Sequence, residues 1–464
     1  MGECTMSELK SWLPPGGANK FQVIKGMTDA AIADGKEVFK LSIGQPVGAA
    51  LPIARAMASI ATMMDLEDIH GYQDNGSAGV TAFYQAMHDA SIDARVLQEF
   101  INLDEQHTGT HNPFENAIIK QGYVLDLLIT VKMKNPVMPV KPCADFAQEF
   151  CQFHIEADLS KISGLEYLPL TGLKPSMPLI PQACNSANDI LLVATMTNPG
   201  YPVIKTYAKP LGYKVYELPL TPENEFRFSV NDLHPSMDLV FTNYPHNPSG
   251  QTCLREFWHK ICVYCQRYGI RLINDAAYAT NSYADDDSCL LSEVAILYPD
   301  LEWAEKFSAS KMGGNFTGWR VGAIVGSEAF VKDIATIKGN TDSGGFAPAM
   351  IGALAATRYE QEAICQYSEA FRQRQEWLCE TLQSKGMKLA IKPQGTFFNI
   401  WLTPKRAFGV DIESTEQFNN LLIKEGLVGV PFDPYWRGAV VEDILQLDFM
   451  EAVVSAFDKA KVEY

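Results

Sequence analysis

The chain has 464 residues, of which 47% are hydrophobic and 20% are charged. This composition is typical of a globular protein, and the length predicts roughly two to four domains. Lysine and arginine number 38 against 55 aspartates and glutamates, so the formal net charge is −17. Such an acidic chain is a poor partner for nucleic acid or an anionic membrane surface. No apolar run approaches the length that spans a bilayer, which predicts a soluble protein.

The first twenty residues contain no apolar stretch of the kind that directs export. The ten cysteines are sparse and irregularly spaced, which predicts free thiols and a cytoplasmic location. Cys262 and Cys265 have the spacing of a redox or zinc pair, but we expect two small core residues on a helix. His107 and His111 are four residues apart, yet a glycine between them favours a solvated loop. We therefore predict no metal site.

The stretch from about Ser91 to Pro142 differs from the rest of the chain, because it mixes a polar loop with the apolar segment Tyr123 to Val131. We interpret residues 92–142 as an insertion. Its apolar segment must bury its surface, so the insertion is expected to cover the mouth of a site or to extend a subunit interface. The alternative is a decoration on the main domain.

In the second half of the chain, short apolar runs alternate with helical patterns, which indicates βαβ units and a parallel sheet. Strands are predicted at Leu239 to Phe241, at Ile270 to Ile273, and in a run that ends near Phe307. Glu256 to Arg267 is the predicted crossover helix, and Val321 to Val325 a further strand. Ligands of such sheets bind beyond the carboxyl ends of the strands, so the residues there are candidates for chemistry.

Beyond Gly345 the pattern becomes helical. Apolar residues recur at spacings of three, four and seven from Ile364 to Leu382, as one buried helix face requires. Phe397 to Trp401 then has the character of a strand. A second, smaller domain is predicted from this region to the end of the chain.

Three polar motifs follow the three predicted strands. They are Asn243-Tyr-Pro-His-Asn247-Pro-Ser-Gly250, Asn274-Asp275-Ala-Ala-Tyr278, and Ser308-Ala-Ser310-Lys311 leading to Gly318-Trp319-Arg320. In order and spacing they resemble the motifs of the class I/II aminotransferases of fold type I. Further stretches carry the same resemblance, which covers most of the chain: Leu41 to Pro46, Tyr72, Asn198 to Pro202 and Pro393 to Phe398. Ile337 to Gly344 is most similar to the diaminopimelate and aspartate branch.

The resemblance implies an α/β fold with a large cofactor domain on a mostly parallel sheet and a smaller α/β domain. Residues 1–59 would form an N-terminal arm and part of the small domain. Residues 60–342 would form the large domain, and residues 343–464 the rest of the small one. The resemblance also implies a homodimer whose active sites are shared between the subunits.

The implied activity is transfer of an amino group between an amino acid and a 2-oxo acid, with pyridoxal 5'-phosphate as cofactor. Lys311 would hold this cofactor as an imine and, once displaced by substrate, move the proton at the α-carbon. Asp275 would pair with the pyridine nitrogen and keep it protonated. Asn247 and Tyr278 would hydrogen-bond the ring oxygen, and Tyr201 would stack on the ring.

The phosphate of the cofactor needs several donors, and a helix start supplies free N–H groups. The implied ligands are Arg320, Ser308, Ser310, Gly172, Leu173, Lys174 and, across the dimer interface, Tyr72. Arg320 stands one residue further from Lys311 than is usual in the family. We therefore expect Met312 to Phe316 to bulge, which the adjacent glycines allow.

The substrate carboxylate is usually bound in this family by an arginine in a strand that follows a proline-rich loop. Val430 to Pro434 resembles that loop, and the strand is expected at Asp443 to Asp448, so Gln446 stands where the arginine should be. Glutamine carries no charge to neutralise a carboxylate. Arg437, in a rearranged loop, is the candidate replacement, and Gly44 fits the family's backbone contact to the same group.

Several alternatives remain open at the level of sequence. The substrate could lack an α-carboxylate, as an amine does. A lyase or decarboxylase could use the same cofactor residues, and a regulator could bind the cofactor without turnover. Asp275 could instead cap a helix, and Asn247 to Gly250 could form only a turn.

Overall fold

A computed structural model describes residues 20–95, 122, 138–186, 190–283 and 288–464, with side chains from residue 24 onward. Most of the predicted insertion, including its apolar segment, and both His107 and His111 lie outside the described residues. The two ends of the insertion lie side by side. The amide of Ala94 donates to Met138 O at 2.8 Å, and the amide of Val140 donates to Ile92 O at 2.9 Å. The chain therefore leaves and returns at one place.

The strands are short and most are buried. In chain order they are β1 (Phe39–Lys40), β2 (Leu165–Leu170), β3 (Leu192–Thr195), β4 (Lys214–Glu217), β5 (Leu239–Thr242), β6 (Arg271–Asp275), β7 (Trp303–Ser308), β8 (Gly322–Ser327), β9 (Phe398–Leu402), β10 (Arg406–Ala407), β11 (Val410–Asp411), β12 (Leu427–Val428), β13 (Val430–Phe432) and β14 (Tyr435–Ala439).

The helices connect and cover these strands. In chain order they are α1 (Lys20–Ala33), α2 (Pro52–Met63), α3 (Glu67–His70), α4 (Ala78–Asp89), α5 (Phe146–Gln152), α6 (Leu173–Ser176), α7 (Val203–Ala208), α8 (Arg255–Tyr268), α9 (Ser292–Ala295), α10 (Glu328–Gly339), α11 (Ala347–Tyr359), α12 (Gln361–Ser384), α13 (Thr415–Lys424) and α14 (Leu447–Ala460). No helix in the described parts of the chain is long and apolar enough to cross a bilayer.

A seven-stranded sheet forms the centre of the molecule, in the order β2-β8-β7-β6-β5-β3-β4. Strands β4, β3, β5, β6 and β7 are parallel, and β8 runs antiparallel to both of its neighbours. The prediction of a mostly parallel sheet is confirmed. Because parallel strands end at the same edge, the residues that follow β3, β5, β6 and β7 meet there.

Helices cover both faces of this sheet. One face packs against α2, α5, α8 and α11, and the other packs against α6, α7 and α10. Strands buried on both faces read as continuous apolar runs, which is why β5 and β6 could be recognised from the sequence. Cys262 and Cys265 are buried free thiols on α8, as predicted.

A smaller unit follows, built from α12, α13, α14 and the three-stranded sheet β13-β14-β9. Strand β1 pairs in parallel with β12, so the start of the described chain belongs with this C-terminal unit. The boundaries at residues 59 and 342 stay a prediction. Helices α2 and α11 pack in the core beside the large sheet. This packing favours a first boundary before Pro52 and a second boundary after Tyr359.

Two predictions about the C-terminal unit are wrong. The segment Asp443 to Asp448 is not a strand, because a turn there leads into α14, which begins at Leu447. The segment around Arg437 is not a rearranged loop, since it forms the buried strand β14, where Arg437 pairs with Val430 on β13 and Ile400 on β9.

Candidate active site

A cavity of about 920 Å³ opens at the carboxyl edge of the large sheet. Its walls combine the loops after β3, β5, β6 and β7 with residues of the smaller unit. The lining includes Ser42, Gly44, Leu173, Lys174, Thr195, Tyr201, Asn247, Asp275, Tyr278, Ser308, Ser310, Lys311, Arg320, Phe398 and Arg437. The cavity thus contains most of the site residues predicted from the sequence, although these come from distant parts of the chain.

Lys311 ends the short 3-10 turn that follows β7. Its Nζ donates a hydrogen bond to Gly44 O and lies 5.8 Å from the centre of the Phe397 ring. Burial, with the positive charges of Arg437 and Arg320, lowers the pKa of Lys311 to about 7. A substantial fraction of this amine is therefore neutral near pH 7, which is the form that attacks a carbonyl carbon or accepts a proton.

Asp275 is the last residue of β6 and is only 2% exposed. Its Oδ2 lies 3.3 Å from Lys306 Nζ, while its Oδ1 has no hydrogen-bond partner among the described residues. A buried carboxylate oxygen without a donor is uncommon, and it indicates a place for a donor from a ligand. The described chain forms no helix directly after Asp275, which argues against a capping role.

Arg437 projects from β14 and is fully buried. Its Nη1 donates to Asn247 Oδ1 and its Nη2 to Ser42 O, both at 3.1 Å. The guanidinium carbon lies 4.1 Å from the centre of the Phe398 ring. Burial lowers the pKa of Arg437 to about 10, so the group remains cationic at neutral pH. A carboxylate entering the cavity would find a preorganised guanidinium fork.

Tyr278 and Asn247 lie at the same end of the cavity. The ring of Tyr278 meets those of Phe397 and Phe398 edge-on, each at 5.5 Å between centroids. Burial raises the pKa of Tyr278, so the hydroxyl stays protonated at neutral pH and can donate. Asn247 begins a turn that leads to Gly250, and it also lines the cavity. A turn and a role in the site are therefore compatible at this motif.

Gln446 lies outside the cavity. It is an exposed residue that precedes α14 as its N-cap. The structure therefore contradicts its placement at the substrate carboxylate, because the strand that was expected to carry it does not exist. Arg437 instead lies in the strand Tyr435–Ala439, which directly follows the proline-rich segment, whereas that strand was expected at Asp443 to Asp448.

Basic and small residues form the other end of the cavity. Gly172 has a φ of +79°, and a Cβ atom at this position would clash with the guanidinium of Arg320. The Nη1 of Arg320 donates to Thr317 O at 2.8 Å, and Ser308 Oγ accepts from the amide of Ser310 at 3.1 Å. The backbone at Gly172, the Arg320 fork and the two serine hydroxyls can together hold an anion.

The loop between Lys311 and Arg320 contains two glycines with positive φ. Gly313 has a φ of +130° and Gly314 a φ of +63°, which a residue with a side chain adopts only with strain. Both glycines are also closely packed, Gly313 against Ile364 and Gly314 against the backbone at Ala49.

Two predicted aromatic residues differ in position. Tyr201 is half-buried and lines the cavity, where it can face a flat ring. Tyr72 is 83% exposed and does not line the cavity of this chain. A role for Tyr72 therefore requires a second subunit.

The cavity fits the cofactor that the sequence resemblance implies. The orphaned Asp275 Oδ1 matches the protonated ring nitrogen of pyridoxal 5'-phosphate, and the cradle around Gly172 and Arg320 matches its phosphate. The amine of Lys311 opens into the same cavity. Among the described residues, no group of three or more histidine, cysteine or carboxylate side chains could hold a metal ion.

Sequence reasoning missed Lys306, a fully buried lysine beside Asp275. A signal for it exists, because a charged residue inside a predicted buried strand is unusual. Side chains alternate along a strand, so Lys306 lies on the same face of β7 as Ser308. Sequence reasoning also missed Phe398, which packs on the guanidinium of Arg437.

Comparisons with known proteins point to one family. The family model for aminotransferase class I and II matches residues 167–435, more than half of the chain. An LL-diaminopimelate aminotransferase of Methanocaldococcus jannaschii is 32% identical over 273 residues, which are 58% of this chain and 63% of that protein. The aligned part thus spans less than two thirds of that relative. A second LL-diaminopimelate aminotransferase, from Natranaerobius thermophilus, is 30% identical over 279 residues, which are 57% of this chain and 67% of that protein.

Solved structures share the fold. The aspartate aminotransferase of Rhizobium meliloti superposes with a TM-score of 0.71 at 17% identity, over 98% of this chain and 100% of the other. A probable N-succinyldiaminopimelate aminotransferase of Thermus thermophilus gives a TM-score of 0.66 at 16% identity, over 95% and 100% of the two chains. The family match, which includes Asp275, Lys311 and Arg320, shows that the chain belongs to the class I and II aminotransferases.

Proposed function

We propose that this protein is a pyridoxal-phosphate aminotransferase that moves an amino group between an α-amino acid and a 2-oxo acid. One observation carries the proposal: Lys311, Asp275 and Arg437 open into a single cavity. These residues supply an amine of lowered pKa, a buried carboxylate and a buried guanidinium. The first two match a cofactor, and the third matches the carboxylate of a substrate.

Different residues of the cavity would bind different parts of the proposed cofactor. Arg320, Ser308, Ser310 and the backbone at Gly172 would hold its phosphate, and Asp275 would hold its ring nitrogen. When bound, the cofactor supplies an electron sink that stabilises negative charge at the substrate α-carbon. Lys174 and Leu173 border the phosphate end, Tyr201 would face the ring, and Asn247 and Tyr278 would hydrogen-bond the ring oxygen.

Lys311 is the group that would move the proton. Its pKa of about 7 lets the amine accept a proton from the α-carbon and return it at a neighbouring atom without a large penalty in either direction. Its hydrogen bond to Gly44 O fixes the amine at the side of the cavity formed by the N-terminal segment. Gly44 therefore belongs to the proposed substrate pocket together with Arg437.

Arg437 favours an amino acid over an amine as the substrate. A fully buried guanidinium that is stacked on Phe398 and held by Asn247 is oriented before the ligand arrives. Its desolvation is unfavourable, as its lowered pKa shows, and a bound carboxylate would offset it. A substrate without a carboxylate could not form this charge-assisted contact.

The relatives guide the choice of substrate. Several proteins similar to this chain carry the name LL-diaminopimelate aminotransferase, which supports transamination over decarboxylation or elimination. LL-Diaminopimelate and aspartate are therefore the first amino donors to test. We also propose a cytoplasmic homodimer, in which Tyr72 completes the phosphate site of the neighbouring subunit. The strong exposure of Tyr72 and the free thiols of the described cysteines support this proposal.

The test follows the cofactor spectrum of the purified protein while single amino acids are added without an oxo acid. An aminotransferase converts the bound cofactor to its amine form and releases one oxo acid per site. Borohydride reduction before the amino acid is added should place the cofactor on Lys311 in the peptide map. Retention of the original spectrum with every amino acid, or label on another lysine, would contradict the proposal.

A further inference from the structure

Lys306 is a buried cation directly behind the cavity. Its side chain on β7 has 0% exposure, and its residue pairs in register with Asp275 on the neighbouring strand β6. Its Nζ lies 3.3 Å from Asp275 Oδ2 and 5.0 Å from the centre of the Phe241 ring. Asp275 lines the cavity and Lys306 does not.

The two side chains lie at ion-pair distance, although their hydrogen-bond geometry is poor. Lys306 Nζ has no well-directed hydrogen bond to any described residue, and Asp275 is its only ion-pair partner there. A lysine buried this deeply is unfavourable unless an opposite charge compensates it. An apolar side chain is the usual residue at such a position, so the presence of a lysine indicates a specific role.

The buried carboxylate of Asp275 also needs an opposite charge to compensate it. If the cavity binds a cofactor through Asp275 Oδ1, that oxygen has a cationic partner only while the cofactor is present. Within the described chain, Lys306 is the group that can neutralise the carboxylate when the cofactor is absent. It engages Oδ2 and leaves Oδ1 without a partner among the described residues.

We propose that Lys306 is a positioning residue that acts through Asp275: it is the permanent counter-ion that stabilises the buried carboxylate before the cofactor binds. The inference rests on the proposed cofactor function of the cavity. Lys306 touches neither the cavity nor the reacting atoms, so its effect passes through Asp275. Its removal should therefore affect the cofactor-free protein more than the loaded one.

The experiment compares thermal unfolding midpoints of the full chain with and without pyridoxal 5'-phosphate. Lys306→Met keeps the length of the side chain and removes its charge. The midpoint of the cofactor-free variant should fall by about 5 °C more than that of the loaded variant, because only the loaded form gives the carboxylate another cationic partner. The double variant Asp275→Asn with Lys306→Met should recover at least half of this extra loss.

Lys338→Met is the matched control. Lys338 is also a buried lysine in an ion pair, with Asp342 at 2.8 Å, but it does not line the cavity. Its loss should lower both midpoints equally. If Lys306→Met does not fold, Asp275→Asn alone is compared with the double variant, which should be the more stable because it contains no unpaired buried lysine.

The outcomes separate the inference from the proposed function. Equal losses with and without cofactor, or a double variant no more stable than either single variant, would overturn the role of Lys306 while cofactor binding stood. A wild-type protein that takes up no pyridoxal 5'-phosphate, judged by its visible absorbance, would overturn both.

Discussion

Lys311 and Arg437 are two basic side chains that share one cavity, and the charge of Arg437 affects the ionisation of Lys311. After burial itself, the charge of Arg437 is the largest contribution to the lowered pKa of Lys311. Near pH 7, Lys311 therefore supplies a neutral amine to the cavity, and Arg437 supplies a cation. The neutral form of Lys311 can react, and Arg437 stays charged to bind an anion.

The lowered pKa of Lys311 predicts how its reactivity depends on pH. Below pH 7 the amine is mostly protonated, so covalent attachment of pyridoxal to the cofactor-free protein should slow tenfold for each further unit of acidity. The rate should rise through a midpoint near the pKa of about 7 and level above it. Stopped-flow absorbance measures this rate.

Arg437→Met is the control for the electrostatic origin of this midpoint. Removal of one positive charge should move the midpoint to higher pH, because the charge that opposes protonation of Lys311 is weakened. A midpoint near the ordinary lysine value of about 10.4, in either variant, would show that burial and charge do not act on Lys311 as described.

A second prediction at this scale concerns recognition of the substrate carboxylate. Arg437→Ala should lower kcat/KM for the preferred amino acid roughly 30- to 1000-fold, because a charge-assisted fork is removed. This loss corresponds to about 2–4 kcal/mol in the activation free energy. The decarboxylated amine of the same amino acid should lose far less. Steady-state kinetics on both compounds measure the difference.

Gln446→Ala is the matched control, since Gln446 is exposed and lies outside the cavity. It should leave kcat/KM within a factor of two. Equal losses for acid and amine in Arg437→Ala would show that this arginine supports the fold and does not bind the carboxylate.

At the scale of elements, the central strands and helices could be predicted because each pattern has one physical cause. The predicted crossover helix Glu256 to Arg267 became α8, and the strand at Val321 to Val325 became β8. The run that ends near Phe307 became β7. Buried parallel strands are short apolar runs, and a helix with one buried face repeats at 3.6 residues.

The C-terminal hairpin could not be predicted for an equally physical reason. All five residues of β14 are buried, so no alternation of polar and apolar residues marks the strand, and Arg437 within it resembles a loop residue. In contrast, the family resemblance placed a strand at Asp443 to Asp448, where Leu445 and Leu447 are 39% and 68% exposed. The error about Gln446 followed directly from these two local misreadings.

Part of the site also could not be predicted from the sequence. The motifs that carry Asp275 and Lys311 are local, so their residues could be named in advance. The contact between Lys306 and Asp275, and the stacking of Arg437 on Phe398, depend on strand register and on packing between distant segments. One sequence contains no information on such pairings until the fold is known.

The insertion yields a prediction that belongs to this scale. Its ends are held by the hydrogen bonds between Ala94 and Met138 and between Ile92 and Val140, so residues 96–137 can be replaced by a short glycine-serine linker. The shortened protein should fold. It should show a raised KM or a weaker dimer, because the apolar segment Tyr123 to Val131 is expected to cover a site or a subunit interface.

Kinetics and mass measurement by light scattering are the readouts for the shortened protein. A variant with the same linker inserted beside the intact insertion controls for the linker itself. Unchanged KM and unchanged mass in the shortened protein would reduce the insertion to a surface decoration.

At the scale of the whole molecule, the proposed site requires two subunits. Lys311→Ala and Tyr72→Ala should each be nearly inactive as separate proteins, since one lacks the amine and the other the phosphate ligand from the neighbouring subunit. Mixing them one to one should restore about a quarter of the wild-type activity, because half of the dimers are mixed and each has one complete site.

The measurement is activity after subunit exchange, with native mass spectrometry of differently tagged subunits as the control for the exchange itself. No recovery in a mixture that is shown to contain mixed dimers would mean that Tyr72 does not serve the neighbouring site.

The central claim is that this cavity transfers an amino group, and an isotope experiment tests it most directly. The purified protein is loaded with pyridoxal 5'-phosphate and incubated with a ¹⁵N-labelled amino acid and an unlabelled 2-oxo acid. Mass spectrometry then follows the label. Transfer predicts that ¹⁵N appears in the amino acid formed from the oxo acid and that Lys311→Ala abolishes this transfer. Label released as ammonia, or retained in a decarboxylated amine, would contradict the account.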